Sequence, residues 1–101
     1  MRWPLFRARV EGLSMIPTLS PGETVWIRRA RSCAPGDLVA ALDPEGRLVV
    51  KRVVRAESTA DGSSGWWLEG DNPGASTDSR IYGPVPQVRI IGRVVRPRQQ
   101  P

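Results

Sequence analysis

The chain has 101 residues, a net charge of +5 carried almost entirely by arginine, and no histidine. A chain of this length is expected to fold as one domain with a modest core. The lone cysteine, Cys33, excludes an internal disulfide framework and a cysteine-cluster metal site, and the missing histidines exclude the usual zinc sites, so we predict neither metal nor cofactor.

Ten glycines and ten prolines favour short elements, and the apolar segments between them are rich in β-branched residues. In chain order, we predict strands at residues 6–10, 24–29, 38–42, 48–54, 66–68 and 88–95. Residues 14–19 are too short and too broken by proline for a regular helix, so we expect one helical turn or a shaped loop. Residues 43–46, Asp-Pro-Glu-Gly, have the composition of a type I turn and should join two strands as an antiparallel hairpin. Residues 70–83 are typical of a polar loop.

Residues 1–7 are too short and too interrupted to be the apolar core of a signal peptide, so we expect no such signal there. No apolar run approaches the roughly 20 residues that cross a bilayer, so we predict a protein that is cytoplasmic or peripheral to the membrane. Trp3, Leu5 and Phe6, flanked by arginines, could make a peripheral membrane contact through the N-terminus, and a strand entering the core is the alternative. We expect residues 1–5 and 97–101 to be frayed.

Lys51 is the only lysine, and because arginine keeps its proton, Lys51 and the N-terminal amine are the only nitrogen bases. Period-two alternation places Lys51 between Val49 and Val53 on one strand face, with Arg52 on the other. Burial disfavours an ammonium ion, so we predict a lowered pKa for Lys51. The alternative is a coding bias toward arginine, with Lys51 on a strand edge.

A lysine base needs a nucleophile within hydrogen-bond reach, because a serine hydroxyl is inert at its own pKa. Ser14 follows Gly12 in a non-repetitive turn, where the backbone can approach a substrate carbonyl and offer its N–H. Taken alone, Ser14 could equally be the N-cap of a helical turn.

Three ordered segments resemble the motifs of the signal peptidase I family of Ser/Lys-dyad peptidases. Residues 12–19, Gly-Leu-Ser-Met-Ile-Pro-Thr-Leu, resemble its nucleophile motif, and residues 50–54, Val-Lys-Arg-Val-Val, resemble its general-base strand. Residues 70–85 resemble its third signature, which the SOS-repressor type of self-cleaving peptidase does not share. The resemblance implies a mostly β fold, with a compact antiparallel β-barrel catalytic core and one short helical turn at the nucleophile. Residues 1–101 would form a single catalytic domain.

The resemblance also implies a role for each matched residue. Ser14 would be the nucleophile, Lys51 the general base, and Ser76 the residue that orients Lys51. The oxyanion hole would use backbone N–H groups such as that of Ser14, because Gly12 stands where some signal peptidases carry a second serine donor. Met15 and Pro17 would line the substrate cleft.

Five further residues of the third motif would support the site: Gly70, Asp71, Asn72, Asp78 and Arg80. Asp78 and Arg80 would form an ion pair that fixes the motif. For Asp71, Asn72 and Ser79, simple loop capping is the alternative.

The implied function is a serine endopeptidase that removes an N-terminal leader or signal peptide, bound as an extended strand, through an acyl-enzyme. Small residues such as alanine would precede the scissile bond. The compact chain is also similar to the small maturation proteases of nickel-type superoxide dismutase, so a dedicated and a general processing enzyme both stay open.

No nucleic-acid partner is expected. The alternative is a basic β-barrel that binds nucleic acid without catalysis, with Trp66 and Trp67 as stacking platforms. Adjacent strand residues point to opposite faces, which weakens that alternative.

Overall fold

The computed structural model describes residues 4–95, which form one mostly β structure. The strands are β1 (Leu5–Arg9), β2 (Thr24–Arg29), β3 (Leu38–Leu42), β4 (Leu48–Ala56), β5 (Gly65–Glu69), β6 (Val85–Pro86) and β7 (Ile90–Val95). One short helix, α1 (Ser79–Tyr82), and two 3₁₀ turns, Pro73–Ala75 and Gln87–Arg89, lie between strands. The predicted mostly β fold class is confirmed.

All seven strands belong to one antiparallel sheet in the order β1-β2-β7-β3-β4-β5-β6. The sheet curls into a half-barrel. β7, the last strand among residues 4–95, therefore lies between β2 and β3 and joins the two halves of the sheet, while β1 and β6 form its edges.

The sheet is buried on one face at its β1 end and on the opposite face at its β6 end. The first core packs side chains of β1, β2 and β3 against the segment after β1; its buried members are Val10, Met15, Leu19, Val25, Ile27 and Ala40. The second core lies on the other face, under β5, β6 and the start of β7; its buried members are Val39, Ala41, Val53, Leu68, Val85 and Ile90. Because β3 contributes alternate residues to both cores, the centre of the sheet is covered on both faces.

The turns predicted from the sequence agree best with the observed structure. The Gly46 N–H donates to the Asp43 carbonyl at 2.8 Å, and β3 and β4 pair antiparallel from Leu42 and Leu48 onward, as predicted for a hairpin. The single helical turn after Ser14 is also present, closed by the Leu19 N–H on the Met15 carbonyl at 2.9 Å. Residues 70–83 are not a plain loop, because they include α1 and a 3₁₀ turn.

The prediction that residues 1–5 are frayed is wrong at Leu5, because Leu5 pairs with Arg28 as the first residue of β1. The preceding carbonyl, of Pro4, accepts a hydrogen bond from the Arg29 N–H at 2.7 Å. Phe6 packs against the first core, as the alternative of a core strand proposed, whereas Trp3 and residues 97–101 lie outside the described residues. Within residues 4–95, no helix has the length and apolar character needed to cross a membrane.

Candidate active site

Ser14 and Lys51, selected from the sequence as nucleophile and base, lie side by side. The Lys51 Nζ is 2.8 Å from the Ser14 Oγ. Ser14 lies in the turn after β1, and Lys51 lies in the middle of β4, opposite Val39 of β3. Two segments that are 37 positions apart in sequence thus bring a hydroxyl and an amine within hydrogen-bond distance.

The surroundings of Lys51 favour its neutral form. Lys51 is only 5% exposed, and this burial is the main cause that lowers the pKa of its ammonium group below 10.5. The Arg80 cation lowers that pKa further, whereas the carboxylates of Asp78 and Asp43 oppose the shift. A neutral Nζ has a lone pair that can accept the Ser14 proton.

Ser76 connects Lys51 to a buried carboxylate. The Ser76 Oγ lies 3.3 Å from the Lys51 Nζ and donates its own proton to Asp78 Oδ2 at 2.5 Å. With its proton committed to Asp78, the Ser76 oxygen can only accept from Lys51. One Lys51 N–H is thereby directed toward Ser76, which leaves the nitrogen lone pair for Ser14.

Asp78 is fully buried and remains a carboxylate. Arg80 donates to both carboxylate oxygens, at 3.0 Å from Nε and 2.6 Å from Nη2, and forms the ion pair expected from the sequence. The Gly70 N–H also donates to Asp78 at 2.8 Å. Burial alone would raise the pKa of Asp78, but the hydrogen bonds from Arg80, Ser76 and Gly70 outweigh it and hold that pKa well below its usual value.

Gly70 and Asn72 hold the nucleophile segment against the third motif. The Asn72 N–H donates to the Ser14 carbonyl at 2.8 Å, and its side-chain amide donates to the Leu13 carbonyl at 3.0 Å. A Cβ added at Gly70 would lie 2.3 Å from the Ser76 Oγ and 2.7 Å from the Ser14 carbonyl oxygen. Only glycine therefore allows this close approach of the two motifs.

Asp71 forms hydrogen bonds to residues of both other motifs, which is more than a residue that only caps its own loop would do. It accepts two hydrogen bonds from Arg52, from Nε at 2.9 Å and from Nη2 at 2.8 Å, and a third from the Thr18 hydroxyl. The Arg52 hydrogen bond is the main cause that lowers the pKa of Asp71. Sequence reasoning missed Arg52 and Thr18 as partners, and their only visible signal was their position inside the first two motifs.

The backbone around Ser14 offers a donor for an oxyanion. Among the described residues, no hydrogen bond uses the Ser14 N–H. Gly12 has a φ of 75°, and the space where its Cβ would lie is open, so no side chain supplies a second donor at that position. The Ser14 N–H is therefore placed to bind a developing negative charge beside its own hydroxyl.

The dyad lies in the wall of a cleft of about 960 Å³. One wall comes from residues 8–15, at the end of β1 and in the segment after it, and the other from residues 43–51 of the β3–β4 hairpin. Four residues of the third motif complete the lining: Ala75, Thr77, Ile81 and Tyr82.

Of the two residues predicted to line the cleft, Met15 does so and Pro17 does not. The turn after Ser14 directs Met15 and Leu19 into the first core and leaves Pro17 exposed at the surface. The prediction for Pro17 was therefore wrong.

The tryptophans do not form a paired stacking platform. Trp66 packs against the second core and donates from its indole N–H to Gln87 at 2.6 Å. Trp67 donates to Glu69 at 2.8 Å, and its ring is covered by the Arg55 guanidinium at 4.4 Å. Both rings are thus occupied by contacts within the chain.

Cys33 offers no second nucleophile. Burial, with a smaller contribution from the Asp37 carboxylate, raises the pKa of its thiol to about 11. A thiol that keeps its proton is a poor nucleophile near neutral pH.

Comparisons with known proteins point to one family. Residues 3–95 match the family described as Peptidase S24-like. Mitochondrial inner membrane protease subunit 2 of Danio rerio is 34% identical over 85% of this chain and 60% of its own length. Mitochondrial inner membrane protease subunit 1 of Schizosaccharomyces pombe is 37% identical over 90% of this chain and 72% of its own length. Mitochondrial ATP-independent inner membrane protease subunit 1a of Arabidopsis thaliana is 32% identical over 93% of this chain and 70% of its own length.

The chain thus spans between 60% and 72% of the length of these relatives. All three are named as protease subunits, and no comparison supports the alternative of a nucleic-acid-binding module.

Proposed function

Because the chain belongs to the peptidase S24-like family, we propose that it is a serine endopeptidase with Ser14 as nucleophile and Lys51 as general base. The family match and the protease relatives together confirm the signal peptidase I-like, Ser/Lys-dyad family predicted from the three motifs. The observation that carries the proposed roles is the 2.8 Å separation between the Ser14 Oγ and the Nζ of a buried lysine.

Acylation begins when neutral Lys51 accepts the Ser14 proton as the Ser14 oxygen attacks the scissile carbonyl carbon. The Ser14 N–H then donates to the oxyanion of the tetrahedral intermediate. Lys51 passes the proton to the leaving amine, the C–N bond breaks, and the acyl group stays on Ser14 as an ester.

Deacylation uses the same groups with water as the nucleophile. Lys51, neutral again after the amine leaves, accepts a proton from the water that attacks the ester carbon. It then returns the proton to the Ser14 oxygen as the ester bond breaks. Ser76 is a positioning residue in both halves, because it holds the Lys51 amine and makes no bond to the Ser14 oxygen or to the substrate carbonyl in these steps.

The sheet edges beside the cleft suit an extended substrate. β1 is an edge strand, and β4 pairs with β5 only from Arg52 onward, so within residues 4–95 the first half of β4 has no strand on that side. A peptide between β1 and β4 would pair with both edges. The inward-facing side chains of that peptide would contact Ala8, Val10 and Val50. These apolar contacts support a preference for small residues in the peptide.

We further propose that the substrate is a precursor protein from which an N-terminal leader or signal peptide is removed. The relatives named as inner membrane protease subunits support a processing role close to a membrane, with peripheral contact. The range of leaders that the enzyme cleaves distinguishes an enzyme for one dedicated precursor from an enzyme that processes many precursors.

The proposal is tested with purified protein and a panel of precursors whose leaders end in a small residue. We expect the leader to be released at one site, found from the masses of both products. Ser14→Ala and Lys51→Met should each lower kcat/KM by at least about a thousandfold. Ser32→Ala, at an exposed serine that does not line the cleft, is the matched control. Unchanged cleavage by either dyad variant would overturn the assignment.

A further inference from the structure

The outward face of β1 forms one wall of the cleft entrance and carries charge. Alternation along β1 directs Ala8 and Val10 inward, toward the first core. Arg7, Arg9 and Glu11 are exposed and face outward. A peptide strand beside β1 places its own outward side chains next to these three.

The two arginines of this wall have no carboxylate partner among residues 4–95. Arg7 lies over the Trp26 ring at 5.7 Å, and neither Arg7 nor Arg9 forms an ion pair within that range. Glu11 is the one acidic residue that follows them on the same face.

Charges on the opposite wall are already paired. The exposed Arg47 guanidinium contacts Glu45 at 2.6 Å and Asp43 at 3.6 Å. Asp43 also accepts the backbone N–H groups of Glu45 and Arg47, both at 2.9 Å. Lys51, on the same side, is only 5% exposed and is engaged by Ser14 and Ser76. The unpaired charge beside a bound strand is therefore that of β1.

The order of charges along β1 distinguishes substrate positions. Under the proposed function, residues before the scissile bond meet Ala8 of β1 and Val10 just after it, so the acyl part of the substrate would extend from Ser14 toward the start of that strand. Strand residues advance by about 3.4 Å, so alternate side chains share a face. The second residue before the scissile bond then lies beside Glu11 and Arg9, whose charges offset each other. The fourth lies beyond Glu11 and beside Arg9, the arginine of this wall that lines the cleft.

We propose that Arg9 makes the enzyme prefer an acidic residue at the fourth position before the scissile bond. This inference rests on the proposed function and deepens it, because it names a charged class of leader. An opposite-charge cross-strand pair changes an equilibrium by about 1.4- to 5-fold, and a lysine at the same place is repelled by a similar factor. Replacing glutamate by lysine at the fourth position should thus lower kcat/KM by about tenfold.

The test uses three peptides with alanine at the first, second and third positions before the scissile bond and glutamate, glutamine or lysine at the fourth. For the wild-type enzyme, we expect kcat/KM to fall in the order glutamate, glutamine, lysine, with a smaller spread at high salt. Arg9→Gln should reduce the spread, and Arg9→Glu should reverse it. Arg93→Gln removes the same charge from β7, two strands away, and should leave the spread unchanged.

Two results would overturn the preference alone. One is Ser14-dependent cleavage of all three peptides with kcat/KM values within twofold of one another. The other is a charge preference at the second position, tested in a parallel series, that is absent at the fourth. If no peptide is cleaved in a Ser14-dependent way, the proposed function fails and the preference fails with it.

Discussion

The hydrogen bonds that Lys51 makes to individual serine oxygens determine the direction of its nitrogen lone pair. Lys51 contacts two serine oxygens, and only Ser76 has its proton engaged by a carboxylate. This difference gives the two serines different roles, although both oxygens contact the same Lys51 amine. Ser14 keeps a proton to give, whereas Ser76 can only accept.

Replacing Ser76 tests this difference in roles. Ser76→Ala removes the acceptor that holds Lys51, while Asp78 keeps its bonds from Arg80 and Gly70. We expect kcat to fall by roughly 10- to 100-fold, a part of what acid-base catalysis contributes, with little change in KM. Ser76→Thr keeps the hydroxyl and should recover part of the loss. Steady-state kinetics of both variants give the answer, and full activity of Ser76→Ala would contradict the role.

The elements around the dyad are held by contacts between motifs that lie far apart in sequence. Asp71 joins Arg52 of β4 to Thr18 of the nucleophile turn, and Asn72 bonds the carbonyls of Leu13 and Ser14. The third motif therefore acts as a clamp on the first two.

Two glycines of this clamp form a matched pair of tests. A Cβ at Gly70 would come within 2.3 Å of the Ser76 Oγ, whereas a Cβ at Gly74 would have nothing within 4 Å. Gly70→Ala must push the first and third motifs apart, and a shift of about 1 Å can cost about 100-fold in rate. We expect Gly70→Ala to lower kcat/KM by about that factor and Gly74→Ala to stay within twofold. Equal activities would show that the close approach does not position the site.

Two ion pairs on β4 provide a second comparison. Arg52 makes a bidentate, partly buried pair with Asp71, whereas Arg55 pairs with Glu57 at the surface. We expect Arg52→Gln to lower the free energy of unfolding by about 1 to 2 kcal/mol, and Glu57→Gln, which removes the surface pair but leaves Arg55 on the Trp67 ring, by less than about 0.5 kcal/mol. Urea titrations of the two variants measure this. Equal losses would mean that the Asp71 bridge adds nothing beyond a surface pair.

The sequence predicts the elements that local chemistry defines and misses those that depend on distant contacts. The β3–β4 hairpin was predictable because Asp-Pro-Glu-Gly encodes its turn, and the bounds of β2 match the predicted strand. The helix α1 was missed because it has four residues and its N-cap, Asp78, lies in a polar run that resembles a loop. The bond between Asp71 and Arg52 spans 19 positions, and no local pattern marks it.

At the scale of the whole molecule, the two cores and the site share the same strands. Ala40 belongs to the first core, its neighbours Val39 and Ala41 belong to the second, and β3 pairs directly with the strand that carries Lys51. A loss of global stability is therefore expected to disturb the positions of Ser14 and Lys51 through β3 and β4.

Global stability should fall in acid because of the third motif. Asp71 and Asp78 have pKa values below 3.8, so the unfolded chain binds more protons than the folded chain as pH drops through that region. Their stabilising effect is complete above about pH 5 and is lost as pH falls toward their lowered pKa values. Urea unfolding of wild type and Asp71→Asn across this range should show a shallower pH slope for the variant. Identical slopes would contradict a lowered pKa for Asp71.

The most direct test of the Ser14–Lys51 assignment is an NMR titration of the side chain of Lys51. Because the chain has one lysine, its ¹³Cε and ¹⁵Nζ signals need no assignment by mutagenesis. We predict a midpoint clearly below 10.5, because burial disfavours the ammonium form. A midpoint at the value of an exposed lysine would show that Lys51 stays charged near neutral pH and would contradict its role as the base.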